Sequence, residues 1–226
     1  AGVDKSEILD FAELAAIATV GDVMDLQGEN RIIVKHGLRQ LASTLRPGLQ
    51  ALIRVNNLEG AEITAYHVGF VLGPCINASG RLDTATRALA LLCAEKREEA
   101  EKLAGDLYDL NQSRKAMTEQ GKERAIEEIE IGGLNKDRVL VVYLSECHES
   151  LAGIIAGRIR ELYHKPAFVL TKAENGVKGS GRSIEAYSMY EELVKCSDLL
   201  TQFGGHPMAA GLSMAEENIE RFRKRL

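Results

Sequence analysis

Four short stretches of this chain combine residue types that suit phosphate or metal chemistry. "GGH", Gly204 to His206, sets two glycines beside a histidine. Paired glycines let a backbone approach a ligand and expose N–H groups, and His206 adds a donor. "GSGRS", Gly179 to Ser183, repeats the theme with Arg182 between the hydroxyls of Ser180 and Ser183. A guanidinium there offers a bidentate contact to a phosphate or terminal carboxylate. "GPCINASGRL", Gly73 to Leu82, holds Asn77, Ser79 and Arg81, all able to bind a phosphodiester or sugar. "ATVGD" ends on Asp22, a carboxylate that suits a hard divalent cation, although one carboxylate is too few for a site. Plainer duties stay open for each: a tight turn at Gly204–Gly205, a glycine-rich turn around Arg182, an interhelical loop with capping Asn77 and Ser79, a helix cap at Asp22.

The elements that must position these residues are legible from periodicity. Residues 8–20, "ILDFAELAAIATV", have apolar residues at helical spacing, and Gly21 interrupts them. "ENRIIVKHGLRQLAS", "RPGLQALIRVNN" with Pro47 in its first turn, and "AEITAYHVGFVL" read as three more helices. "GPCINASGRLD" then reads as a loop, and Thr84 to Cys93 as a further helix. Residues 96–131 are highly charged and free of proline, with Leu103, Leu107 and Leu110 on one face, the pattern of a long solvated helix linking two domains. Beyond "GGLNKD" the pattern changes. "RVLVVYL" and "KPAFVLTK" are compact strand runs flanking the amphipathic "SLAGIIAGRIRELYH", a parallel crossover unit. "GVKGSGRS" reads as a glycine-rich strand end, "AYSMYEELVKCSDLL" as a helix, and "HPMAAGLSM" as a strand before a last helix. The expected organisation is a helical part over 1–94, a linking helix over 95–132, and a smaller α/β domain with a mixed sheet over 133–226.

Composition narrows the classes. The 226 residues are 45% hydrophobic and 27% charged with no tryptophan, the balance of a helix-rich globular protein. No apolar run approaches the roughly 20 residues of a membrane span, and no signal segment opens the chain, so a cytoplasmic location is expected. Cys75, Cys93, Cys147 and Cys196 form no CxxC pair, which suggests reduced thiols. His36, His67, His148 and His164 show no ligand spacing. Net charge is −5, against a protein coated in basic patches, but its distribution is uneven. Basic residues number 16 against 22 acidic through residue 137, and 12 against 11 thereafter, which keeps an anion site open in the second part.

Taken together, "ATVGDVMDLQGENR", "GPCINASGRL", "CHESLAGIIAGRI", "GSGRS" and "GGHPMAAG", in this order and at these separations, closely resemble the RecJ family. These are single-strand-specific 5′ to 3′ DNA exonucleases of the DHH phosphoesterase superfamily, at work in DNA repair and recombination. The resemblance covers essentially the whole chain. It implies two Mn²⁺ or Mg²⁺ ions in the full enzyme, activating water for in-line attack on a phosphodiester. The family's Asp-His-His motif is absent here, Asp22 matches its final aspartate ligand, and the chain looks like a fragment that is inactive alone and holds no ion firmly. By the resemblance Asn77 and Arg81 face the active cleft. Ser180, Arg182 and Ser183, with Gly204, Gly205 and His206, belong to the surface that holds the DNA backbone or 5′-phosphate. Single-stranded DNA is the implied partner, with a helicase or single-strand-binding protein as further candidates. Cys75 stands where the family commonly has arginine, which removes a phosphate contact. Two competing readings are a short-oligonucleotide or cyclic-dinucleotide phosphodiesterase of the same superfamily, against which the long helix stands, and a noncatalytic nucleic-acid-binding module.

Overall fold

The structure, a computed structural model, describes residues 9–226; Ile8, with which the first expected helix begins, lies outside them. The chain divides into two units, 1–114 and 115–226.

The first unit is helical. Its elements are α1 (Ala12–Gly21), α2 (Gly28–Ala42), α3 (Pro47–Val55), α4 over 65–82, α5 (Ala85–Leu92) and the first part of α6 (Arg97–Ile131). Leu41, Leu49, Leu52, Val68, Leu72, Leu91 and Leu107 form its core. The loop expected at "GPCINASGRLD" is instead the second half of α4, which runs as Ala65–His67, a π-helical Val68–Leu72, and Gly73–Leu82. Proline and glycine suggested a break, and the π turn removes the need for one. Gly73 donates to Val68 O, five residues back, immediately before Pro74, which has no N–H to offer. A Cβ on Gly73 would sit 2.7 Å from that same oxygen, so glycine is what lets the π turn close.

Helix α6 extends for 35 residues. Its solvated face is as charged as expected, but it also carries a buried stripe: Ala100, Ala104, Leu107, Asn111, Thr118, Ala125 and Ile129 recur at helical spacing. Leu103 and Leu110 pack at the edge of the first unit's core. The first part of α6 therefore completes one core and the last part another, with the division between units falling at Arg114/Lys115 inside the helix.

The second unit is a five-stranded mixed sheet in the order β1-β2-β3-β5-β4, made of β1 (Leu140–Tyr143), β2 (Ala167–Ala173), β3 (Gly176–Arg182), β4 (Leu200–His206) and β5 (Ala209–Met214). β1 and β2 are parallel, joined by α7 (Ala152–Tyr163), and the other pairings are antiparallel. One face packs Leu140, Val142, Ala167 and Val169 against α7 and the end of α6. The other packs Val141, Phe168, Leu212 and Met214 against α8 (Met189–Lys195) and α9 (Ile219–Arg225), where Phe168 meets Phe222 edge to face. "GVKGSGRS" is a full central strand rather than a strand end, and His206 closes β4 rather than opening β5. All four cysteines are free thiols; Cys75 lies in the first unit's core and Cys196 in the second's.

Candidate nucleic-acid interface

Alternate residues of a strand point to opposite faces of a sheet. On β3, Val177, Gly179 and Gly181 are buried, whereas Lys178, Ser180 and Arg182 point the other way. Register extends that second face across β5 and β4. Lys178 opposes Ser213, which opposes Gln202; Ser180 opposes Gly211, then Gly204; Arg182 opposes Ala209, then His206. The result is a three-by-three floor with a row of small residues through its centre and cations on two corners. Lys178 and Arg182 are about 13 Å apart along β3, and β3 and β4 are about 10 Å apart across β5.

Above part of this floor lies a cavity of about 410 Å³, lined by Lys178, Ser180, Gln202, Gly204, Gly211 and the turn that opens α7. Glu149 in that turn holds Lys178 at 2.8 Å, with both side chains about half exposed. An exposed pair of this kind is worth roughly 0–1 kcal/mol, so the ammonium can turn to another anion at little cost. His148 caps the same turn, its Nδ1 accepting from Ser150 N at 3.3 Å.

Arg182 is seated by glycines on α7. A Cβ at Gly153 would lie 3.0 Å from Arg182 Nη2, and one at Gly157 3.9 Å from its Cγ. These two positions, one helical turn apart, form a smooth bed for the side chain, and Arg182 Nη1 donates to Gly181 O at 2.8 Å. At the far strand Gly204 is open, with nothing within 4 Å of where a Cβ would stand. Gly205 is different. Its φ is +150°, and a Cβ would meet Ala209 O at 2.4 Å, so glycine is required by the hairpin that turns at Pro207–Met208. Gly204–Gly205 thus lie in a strand and not in the tight turn, which follows them.

The structure accordingly brings Ser180, Arg182, Gly204 and His206 onto one face, with His206 exposed. Ser183 faces inward. It is fully buried, its hydroxyl donates to Tyr187 O at 2.6 Å, and its N–H donates to Met208 O, a structural role in holding the strand ends together. Lys178, Gln202, Ser213, Gly153 and Gly157 join the site without having been singled out in the sequence. The signal for Lys178 was the period-2 alternation of "VKGSGR", and for the glycines their i, i+4 spacing in "AGIIAG". Cys147, beside His148, is no activated nucleophile: burial pushes its thiol above the usual cysteine range, against a smaller opposing pull from Arg124.

In the first unit Asp22 is the C-cap of α1 and is exposed. Val23 N donates to Val20 O and Met24 N to Thr19 O, a Schellman closure with Val23 in the left-handed region at φ +56°. Asn77 and Arg81 are exposed one turn apart on α4, which puts both on one side of that helix. Cys75 points into the core instead. It is wholly buried, accepts from Asn111 Nδ2 at 3.3 Å and donates to Asn56 Oδ1 at 3.6 Å, while Arg114 Nε donates to Asn111 Oδ1. Among the described residues no three His, Cys, Asp or Glu side chains cluster to hold a metal ion, so Asp22 offers a single ligand.

The DHHA1 domain model matches residues 136–226, the sheet unit with its helices. Over 96% of its length the chain is 39% identical to the single-stranded-DNA-specific exonuclease RecJ of Salmonella typhimurium, and 40% identical to that of Bacillus subtilis. Along nearly its whole length the chain is similar to RecJ proteins. It superposes on RecJ from Thermus thermophilus in complex with Mn²⁺ with a TM-score of 0.87, at 34% identity over 96% of this chain and 32% of that one. Coverage of the relatives is partial: the chain spans 39% of the Salmonella protein and 28% of the Bacillus protein.

Proposed function

We propose that this chain supplies the substrate-gripping surface and one metal ligand of a metal-dependent, single-strand-specific 5′ to 3′ DNA exonuclease acting in repair and recombination. The observation that carries the reading is the floor of β3, β5 and β4, with Arg182 bedded on Gly153 and Gly157 and Lys178 at its other edge. A bare glycine row between two cations suits a thin, flexible polyanion: the backbone lies against Gly211 and Gly204, Arg182 forks onto a phosphate, and Ser180 and His206 donate beside it. In this reading Asn77 and Arg81 face the reacting phosphodiester from the first unit. Two Mn²⁺ or Mg²⁺ ions would activate water and steady the leaving oxygen in the complete enzyme. Asp22 alone does not make that site, and no digestion of DNA is expected from this chain with either metal. A helicase or single-strand-binding protein that delivers single strands, in the cytoplasm, fits the same role.

The test is fluorescence-anisotropy titration with a 5′-phosphorylated single strand of about a dozen nucleotides and, separately, with a dinucleotide. Tighter binding to the longer strand is expected, and Arg182→Ala should weaken it by on the order of 1 to 3 kcal/mol. Equal or preferential binding of the dinucleotide would move the reading to a small-oligonucleotide phosphodiesterase. Unchanged affinity of the variant at low salt would remove Arg182 from the site.

A further inference from the structure

Helix α4 carries an exposed pair of rings. Tyr66 is 64% and Phe70 69% exposed, yet the two stack with centroids 5.1 Å apart and an interplanar angle of 28°. Two large aromatic faces left in water one turn apart, while the opposite side of the helix buries Val68 and Leu72 completely, are not surplus core. The first ring is also fixed in place. His67 packs edge-on to Tyr66 at 5.9 Å, and its Nδ1 accepts from Thr64 N at 3.1 Å, so the capping box at the start of α4 holds the ring's neighbour.

The remaining exposed residues of α4 decide what such a ledge fits. They are Asn77, Gly80 and Arg81; none is Leu, Ile, Val or Met, and none is acidic. Tyr66, Phe70, Asn77 and Arg81 are exposed while Val68, Leu72, Cys75 and Ala78 of the same helix are buried, so the four share its outward side over roughly 20 Å. An interface with another protein would continue the rings with aliphatic neighbours. This side continues them with an amide and a guanidinium, the complement of a ligand that presents flat apolar faces and then anionic oxygens. Helix α1 runs up to the same place, since a Cβ on Gly69 would touch Val20 Cγ1 at 3.7 Å, and Asp22 follows two residues later.

From this arrangement we infer that Tyr66 and Phe70 form a stacking platform for unpaired nucleobases of the single strand, with Asn77 and Arg81 meeting the phosphates beside them. The inference rests on the nucleic-acid reading above and adds to it a reason for strand selectivity. A base paired within a duplex has no free face to lay on a ring, whereas every unpaired base has one, whatever its identity.

The experiment compares a 12-nucleotide thymidine strand with a strand of equal length and charge carrying abasic sites, each titrated against this chain. The chain is expected to prefer the base-bearing strand by roughly tenfold or more. Tyr66→Leu/Phe70→Leu should erase that preference while keeping the weaker, phosphate-driven binding of the abasic strand. Arg182→Ala should lower both affinities and leave their ratio intact. Phe70→Trp keeps a ring, so it should keep the ratio and show fluorescence quenching with the base-bearing strand only. An unchanged ratio in the double leucine variant, or no quenching of the tryptophan, would overturn the platform and leave the phosphate-gripping floor standing. Failure of the unaltered chain to bind either strand would overturn both.

Discussion

Val23 is a β-branched residue at φ +56°, 87% exposed, in the place of a Schellman closure that glycine usually fills. An L-residue in that region costs roughly 1–2 kcal/mol, and glycine's extra freedom in the unfolded chain returns part of it. Val23→Gly is therefore expected to raise stability by about 1 kcal/mol in urea titration, without moving Asp22, whose own N–H stays bonded to Ala18 O. Cys75 gives a second expectation at this scale. Cys75→Ser keeps both a donor and an acceptor between Asn56 and Asn111 and should be nearly neutral. Cys75→Val strands the Asn111 amide in the core and should cost about 1–3 kcal/mol in the same assay. Sequence located Asp22 and Cys75 by motif, but which way each points was set by a helix cap and by two asparagines 19 and 36 residues away. Those are long-range facts that no local pattern records.

At the scale of elements, the glycines of α7 act on Arg182 and on the helix in opposite senses. Alanine is a better helix former than glycine by about 1 kcal/mol, and the group a methyl at position 153 would press on is the mobile end of a side chain. Gly153→Ala should therefore fold at least as stably as the original yet bind single-stranded DNA several-fold more weakly, a separation readable from a melting curve and an anisotropy titration on one preparation. A second expectation concerns Tyr163 at the end of α7, whose hydroxyl donates to Glu130 Oε1 of α6 at 2.7 Å. Burial, then the bond and charge of Glu130, push its pKa up to about 12. Unfolding releases that proton near pH 10, so stability should fall as pH rises from about 10 to about 12, and Tyr163→Phe should flatten that decline. β1, β2 and the crossover between them were legible because β-branched runs bounded by an amphipathic helix have few other solutions, whereas β4, with its paired glycines and no such run, was not read as a strand. The half of α4 that begins at Gly73 was not, because a π turn, which depends on Val68 O five residues back, absorbs the proline that otherwise reads as an end.

For the whole molecule, two cationic corners on one floor make salt the sharpest general probe. Each phosphate neutralised on a single strand contributes about −0.7 to the slope of log K against log salt. Arg182→Ala should flatten that slope by about this amount, and Lys178→Ala should do the same, whereas Tyr66→Leu should leave it unchanged. The change of periodicity after residue 132 set a sheet-forming part apart in sequence, whereas the two units divide at Arg114/Lys115 inside α6. The sharing of α6 between two cores was not legible, because a stripe of three alanines, one asparagine and one threonine with only Leu107 and Ile129 among them lacks the apolar contrast that marks a packed face.

Cys75 in the core of the helical unit and Cys196 in the core on one face of the sheet equip the molecule with its own clocks. Cys93 is open to solvent and should alkylate at once; Cys147 is half-buried with a raised pKa and should follow more slowly. Cys75 and Cys196 can react only when the packing around each loosens, so their modification times, followed by peptide mass, measure the opening of the helical unit and the sheet unit separately in one reaction. Two distinct rates are expected in water, and small additions of urea should reveal whether they converge, the mark of two units that open together.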